Sequence, residues 1–143
     1  MKAEILSVGT ELLLGQIVDT NAAYIARRLA ELGITLYRKT TVGDNLARVS
    51  AAVREALERA DIVIATGGLG PTEDDLTREA AADALSIRLI ESPEVLADLA
   101  RFFGARGAYM TENNRRQALM PEPGAGRLIP NPLGTAPGVL FES

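Results

Sequence analysis

The chemistry of this chain is concentrated in Thr66-Gly67-Gly68-Leu69-Gly70-Pro71-Thr72-Glu73-Asp74-Asp75-Leu76-Thr77. Three glycines follow an apolar strand pattern, Asp61-Ile62-Val63-Ile64-Ala65, and three carboxylates come next, at the threshold of a helix pattern. Glycine lets a backbone come close to a ligand. A helix start presents unpaired N–H groups and the positive end of its dipole, which suits a phosphate. Carboxylates in the same place repel a phosphate unless a cation lies between them. The segment therefore reads as a site for a phosphorylated ligand with a divalent metal, the phosphate held by Gly67, Gly68, Gly70 and Thr72. It is neither a P-loop nor a dinucleotide fingerprint, because the Gly-Lys-Ser/Thr and G-x-G-x-x-G spacings are not met.

Thr72 and Asp75 also fit a capping box at the start of the following helix. One acid fills that role, and three beside three glycines exceed it, which points Asp74 or Asp75 to metal binding or catalysis. The chain has no histidine and no cysteine. That removes the usual general base, Ser-His catalysis, thiol chemistry and any His/Cys zinc site. A metal here must be held by oxygen, so a hard cation such as Mg²⁺ is expected.

Strand and helix patterns alternate along the chain. Strands are expected at Glu4 to Val8, Ile34 to Val42 and Ile62 to Ala65, with short ones at Ile87 to Ile90, Leu128-Ile129 and Val139 to Phe141. Helices are expected at Asn21 to Leu32, Leu46 to Ala60, Leu76 to Leu85 and Val95 to Phe103, with a shorter one at Thr111 to Leu119. This order predicts a single domain over 1–143, a three-layer α/β/α sandwich with a mostly parallel sheet. Ligands of such sheets lie beyond the carboxyl ends of the strands. That rule puts Gly9-Thr10-Glu11 and Gly67 to Asp75 on one rim, with Thr10 offered to the ligand and Glu11 sharing the metal with Asp75.

Of three further segments, one has a single reading and two have two each. Asp19-Thr20-Asn21 is an N-cap cluster, and capping accounts for it. Asn131-Pro132-Leu133-Gly134-Thr135-Ala136-Pro137-Gly138 is either a plain connector or a stiff loop whose Asn131, Gly134 and Thr135 close over the ligand. Arg115-Arg116 is either a phosphate partner or a solvated helix face.

Composition bounds the rest. Of the 143 residues 47% are hydrophobic, enough for a folded core. A net charge of −4 argues against a nucleic-acid partner. No apolar run reaches the length of a membrane span, and the start lacks a signal-peptide pattern. A cytoplasmic location is the expectation.

Gly9 to Asn21, Thr66 to Thr77 and Asn131 to Gly138 together resemble the signature stretches of the N-terminal domain of CinA, the competence/damage-inducible protein. That domain is similar to the molybdopterin-binding domains of MogA, MoaB and MoeA. The resemblance covers nearly the whole chain. It implies that Asp75 stands where related enzymes keep a catalytic acid, and that ADP-ribose is hydrolysed with a divalent metal. Molybdopterin binding or adenylylation, and nucleotide binding without turnover, are the alternatives. The resemblance also implies a homo-oligomer. The family usually adds a C-terminal deamidase domain, which has no counterpart in these residues, and its N-terminal domain normally continues past Phe141. A domain shortened at its C-terminal end is thus implied.

Overall fold

The structure, a computed structural model, describes residues 1–142. Its first half is built on a three-stranded parallel sheet in the order β2-β1-β3, comprising β1 (Lys2–Val8), β2 (Thr35–Val42) and β3 (Ile62–Thr66). Four helices belong to this half: α1 (Thr10–Leu13), α2 (Thr20–Glu31), α3 (Leu46–Leu57) and α4 (Thr77–Leu85). Side chains of a strand alternate between the two faces of its sheet. In β1, Ala3 and Ile5 meet Ala22 and Leu29 of α2, while Leu6 and Val8 meet Val49, Val53 and Ala56 of α3 and Ala80 of α4. The sheet is thus covered on both faces, which makes the three layers.

Side chains cap α2, α3 and a helix of the second half of the chain. Asp19 accepts from the amide of Ala22, Asn45 from that of Arg48 and Ser92 from that of Val95, each satisfying a donor that a helix start leaves open. Glu4, fully buried on the α3 face of β1, accepts two bonds from Arg59 at 2.9 and 3.0 Å. Those bonds outweigh the effect of burial and hold the Glu4 carboxyl below its usual range.

The second half forms its own small core beside the sandwich. It contains β4 (Leu89–Glu91), α5 (Pro93–Gly104), a 3-10 helix (Glu112–Ala118), β5 (Leu119–Pro121), β6 (Gly126–Ile129) and β7 (Gly138–Phe141). Strands β4 and β5 pair antiparallel, as do β6 and β7. Val95 and Leu99 of α5 pack on Ala118 and Met120, with Leu128 and Val139 against them. The parallel sheet is therefore confined to residues before 67. Among the described residues no helix is long and apolar enough to cross a membrane.

Candidate functional site

The order β2-β1-β3 fixes where a ligand can sit. The chain leaves β1 through α2 to reach β2 on one side, then returns through α3, on the opposite face, to β3 on the other side. The two connections diverge between the carboxyl ends of β1 and β3, and such a divergence opens a crevice. A cavity of about 360 Å³ lies there. Its walls are Gly9, Glu11 and Leu12 after β1, Ile17 to Asn21 at the start of α2, Asp44 after β2, Thr66 to Gly68 after β3, and Asp74 and Asp75.

Gly67 and Gly68 have left-handed backbones, with φ of 91° and 63°. A Cβ on Gly67 would run into the carbonyl oxygen of Val8, and one on Gly68 into the Thr77 hydroxyl. These glycines bring β3 close to β1 and let the chain turn into α4. Their exposed sides line the cavity, so fold and site make the same demand. Gly70 lies outside the cavity wall, and a Cβ there would stand 2.6 Å from Asp75 Oδ2.

The acidic segment differs from the expected capping box. Helix α4 begins only at Thr77, and no side chain caps it. Thr72 to Asp75 forms a separate turn, closed by the Asp75 amide donating to the Thr72 carbonyl at 3.1 Å. The Thr72 amide and hydroxyl both donate to Asp75 Oδ2, at 2.8 and 2.6 Å. A Thr-x-x-Asp pattern serves a turn of this kind as well as a cap. The amide of Thr77, at the first turn of α4, donates to the Gly68 carbonyl instead of facing the cavity. Burial pushes the Asp75 carboxyl up. The Thr72 bonds, a bond from the Gly70 backbone and the Arg116 charge reverse that and hold it below its ordinary value. Asp75 stays ionised at neutral pH, with exposed Asp74 beside it on the wall.

Glu11 reaches the same rim, as the sequence suggests, and its carboxylate folds back over Gly9. Thr10 stands just behind the wall. Its amide donates to Asp44 Oδ2 at 2.9 Å, and its hydroxyl accepts from the Asp44 amide at 3.1 Å. Thr10 thereby positions Asp44, which sequence reasoning passed over although it follows the carboxyl end of β2. Asp19 was also missed as a wall residue. It caps α2 through Oδ1, accepts from the Ser7 hydroxyl through Oδ2, and faces the cavity as well. Asn21 donates to the Thr66 hydroxyl at 3.2 Å across the crevice.

Asn131, Gly134 and Thr135 are not among the residues lining this cavity. The Thr135 hydroxyl accepts from Gln117 at 2.9 Å, and Asn131 closes its own loop on the Ala136 carbonyl and the Leu133 amide. Arg116 follows neither expected reading. It donates to the carbonyls of Thr72 (2.7 Å) and Asp75 (3.3 Å) and to Glu79 (3.0 Å), so it clamps the acidic turn from the second half of the chain. Arg115 pairs with Glu91.

Among the described residues five carboxylates and no lysine or arginine line the cavity. Among the described residues no three acidic side chains gather closely enough to cage a metal by themselves. The donor set is all oxygen. That matches a cation such as Mg²⁺, which takes one or two carboxylates and fills its remaining positions with water and ligand phosphate.

A family model described as a probable molybdopterin binding domain matches residues 4–143. A CinA-like protein of Rippkaea orientalis is 54% identical over 99% of this chain, which covers 34% of that protein. The chain spans about a third of the length of the curated relatives it matches. The solved structure of CinA from Thermoplasma acidophilum, described as of unknown function, is 36% identical, with a TM-score of 0.90 over 99% of this chain and 82% of that one. The tungsten cofactor synthesizing protein MoaB from Pyrococcus furiosus shares the fold, with a TM-score of 0.56 and 21% identity over 98% of this chain and 79% of that one. Fold and sequence agree: the chain belongs to the molybdopterin-binding-domain family, on its CinA-like side.

Proposed function

We propose that this chain binds a phosphorylated pterin- or nucleotide-type small molecule together with a divalent cation, in the cavity between β1 and β3. The observation that carries the reading is the cavity wall, which among the described residues has five carboxylates and no cationic side chain. An anionic ligand meets repulsion there until a cation lies between, whereas a cation alone is drawn in. Asp75 and Glu11 are the proposed ligands of Mg²⁺, with Asp44 and Asp74 adding to the field that holds it. The backbone of Gly67 and Gly68 lets the phosphate come close. The family's described ligand, molybdopterin, has this chemistry: a flat ring system with a phosphate.

Isothermal titration tests the reading. ADP and molybdopterin are titrated into the protein with Mg²⁺ and again with excess EDTA. Binding that needs Mg²⁺ supports it. Binding that is equally tight in EDTA, or absent in both, removes it.

A second reading adds turnover, namely hydrolysis of the diphosphate of ADP-ribose to AMP and ribose 5-phosphate. What favours it is Asp75, held ionised on the rim in a chain without histidine or cysteine, so that proton handling falls to carboxylates. Water would add to one phosphorus as the P–O–P bond breaks, with the cation offsetting the charge that develops. Release of AMP from ADP-ribose, measured with and without Mg²⁺, decides between binding and turnover.

A further inference from the structure

One part of the cavity wall is unlike the rest. Between α1 and α2 the chain presents Ile17 and Val18, with Leu12 beside them, to a cavity whose wall also carries Glu11, Asp19, Asp44, Asp74 and Asp75. Ile17 is 53% and Val18 82% exposed, so neither belongs to a core. Both are nevertheless held in place. The Gln16 amide donates to the Glu11 carbonyl at 2.9 Å, and the Gly15 amide to the Leu12 carbonyl at 3.2 Å. The Thr20 amide donates to the Val18 carbonyl at 3.0 Å, and Asp19 is fixed by Ser7 and the Ala22 amide. An apolar surface that is fixed, exposed and part of a ligand-sized cavity serves to orient a ligand.

We infer that Ile17 and Val18 form a shelf for the flat nitrogen heterocycle of the ligand, so that the ring lies toward the start of α2 and the phosphate toward Gly67 and Gly68. The inference rests on the proposed binding of a phosphorylated ligand and adds its orientation. The proposed cation ligands Asp75 and Glu11 serve the cation–phosphate end. The apolar faces of the ring gain contact area from two aliphatic side chains, which carboxylates do not supply. Purine and pterin share this chemistry, so the shelf serves either.

The test compares ligands with and without a ring. ADP and inorganic pyrophosphate are titrated with Mg²⁺ into the wild type, an Ile17→Ser/Val18→Ser double variant and an Ile17→Val/Val18→Ile double variant. Neopterin is added as a ring without phosphate. Both positions are exposed, so the fold should hold, and circular dichroism checks it. The shelf predicts that the wild type prefers ADP to pyrophosphate and that the serine variant loses about tenfold in ADP affinity. Pyrophosphate affinity should stay within about twofold and the aliphatic swap should behave as wild type. A neopterin signal that disappears in the serine variant extends the shelf to pterins, and one that persists excludes them. The shelf is overturned if ADP and pyrophosphate bind the wild type alike, or if the serine variant weakens both equally or neither. It is also overturned if the variant instead shifts the sedimentation coefficient, since that marks the surface as a contact between copies. If the wild type binds neither ADP nor pyrophosphate with Mg²⁺, the proposed site itself fails and takes the shelf with it.

Discussion

Two glycine- and proline-containing loops, Gly67 to Asp75 and Asn131 to Gly138, carry similar signals in the sequence and end in different places. The first leaves the carboxyl end of β3, beside the end of β1, and forms part of the cavity wall. The second joins the antiparallel strands β6 and β7 and ties itself to Gln117 and to its own backbone. Composition says that a loop is stiff and rich in hydrogen-bonding groups. Its address comes from the topology of the strands that it connects.

The comparison is broken most forcefully at the glycines. Gly67→Ala should destabilise the fold by more than about 2 kcal/mol, because the new Cβ meets the Val8 carbonyl and the backbone is left-handed. Gly134→Ala should change stability by less than about 1 kcal/mol, since the nearest atom to its Cβ is a side-chain nitrogen of Asn131 at 3.2 Å. Urea denaturation of both variants reads the difference. Similar losses would mean that the two loops are equally constrained.

Arg116 is where the two halves of the chain meet across the acidic turn. Arg116→Met should cost about 2 kcal/mol in the same measurement, as it removes charge-assisted bonds to two carbonyls and to Glu79. It should also weaken Mg²⁺-dependent ligand binding, through a turn that is no longer clamped. Arg78, only 3% exposed, adds bonds to the Arg116 carbonyl and, at 3.5 Å, to the Pro137 carbonyl, which links the second loop to the clamp.

Asp75→Asn tests the proposed chemistry while keeping the shape of the turn. Cation-dependent affinity should fall at least about tenfold, a loss typical of altered metal surroundings. Asn131→Ala should leave that affinity within about twofold, because no part of its loop lines the cavity. A large loss at Asn131 would bring the second loop back over the ligand.

Much of this was legible before the structure. Strand–helix alternation, the Asp19 cap cluster and the apolar runs of β1 and β3 are local patterns, and local patterns are what a sequence displays directly. The rule that ligands lie past strand ends placed Gly67, Gly68, Asp75 and Glu11 on one rim. Applied to β2, the same rule would have added Asp44. Asp19 was hidden for another reason: capping accounts for its Oδ1 alone, while Oδ2 and the cavity face depend on Ser7 and on chain packing. The capping reading of Thr72 and Asp75 failed because one spacing serves both a cap and a turn. The reach of Arg116 over some forty residues to Thr72 has no local signature at all.

The smallest expected effect separates the loops by charge. The first turn depends on an ionised group, because Thr72 donates twice to Asp75 Oδ2. The second is held by neutral amide and hydroxyl groups. The Asp75 pKa is lowered in the folded protein, so its contribution is fully present above the unfolded value, about 3.9. That contribution is lost as pH falls through the lower folded value. Between pH 6 and pH 3 the response of the Thr72 amide resonance to Asp75 should therefore begin only near the acid end, while the amides of Leu133 to Gly138 stay still. In Asp75→Asn that response of Thr72 should be lost. If both loops titrate together, a charge shared across the Arg116 clamp governs them, and the separation between a charged rim and a neutral brace is wrong.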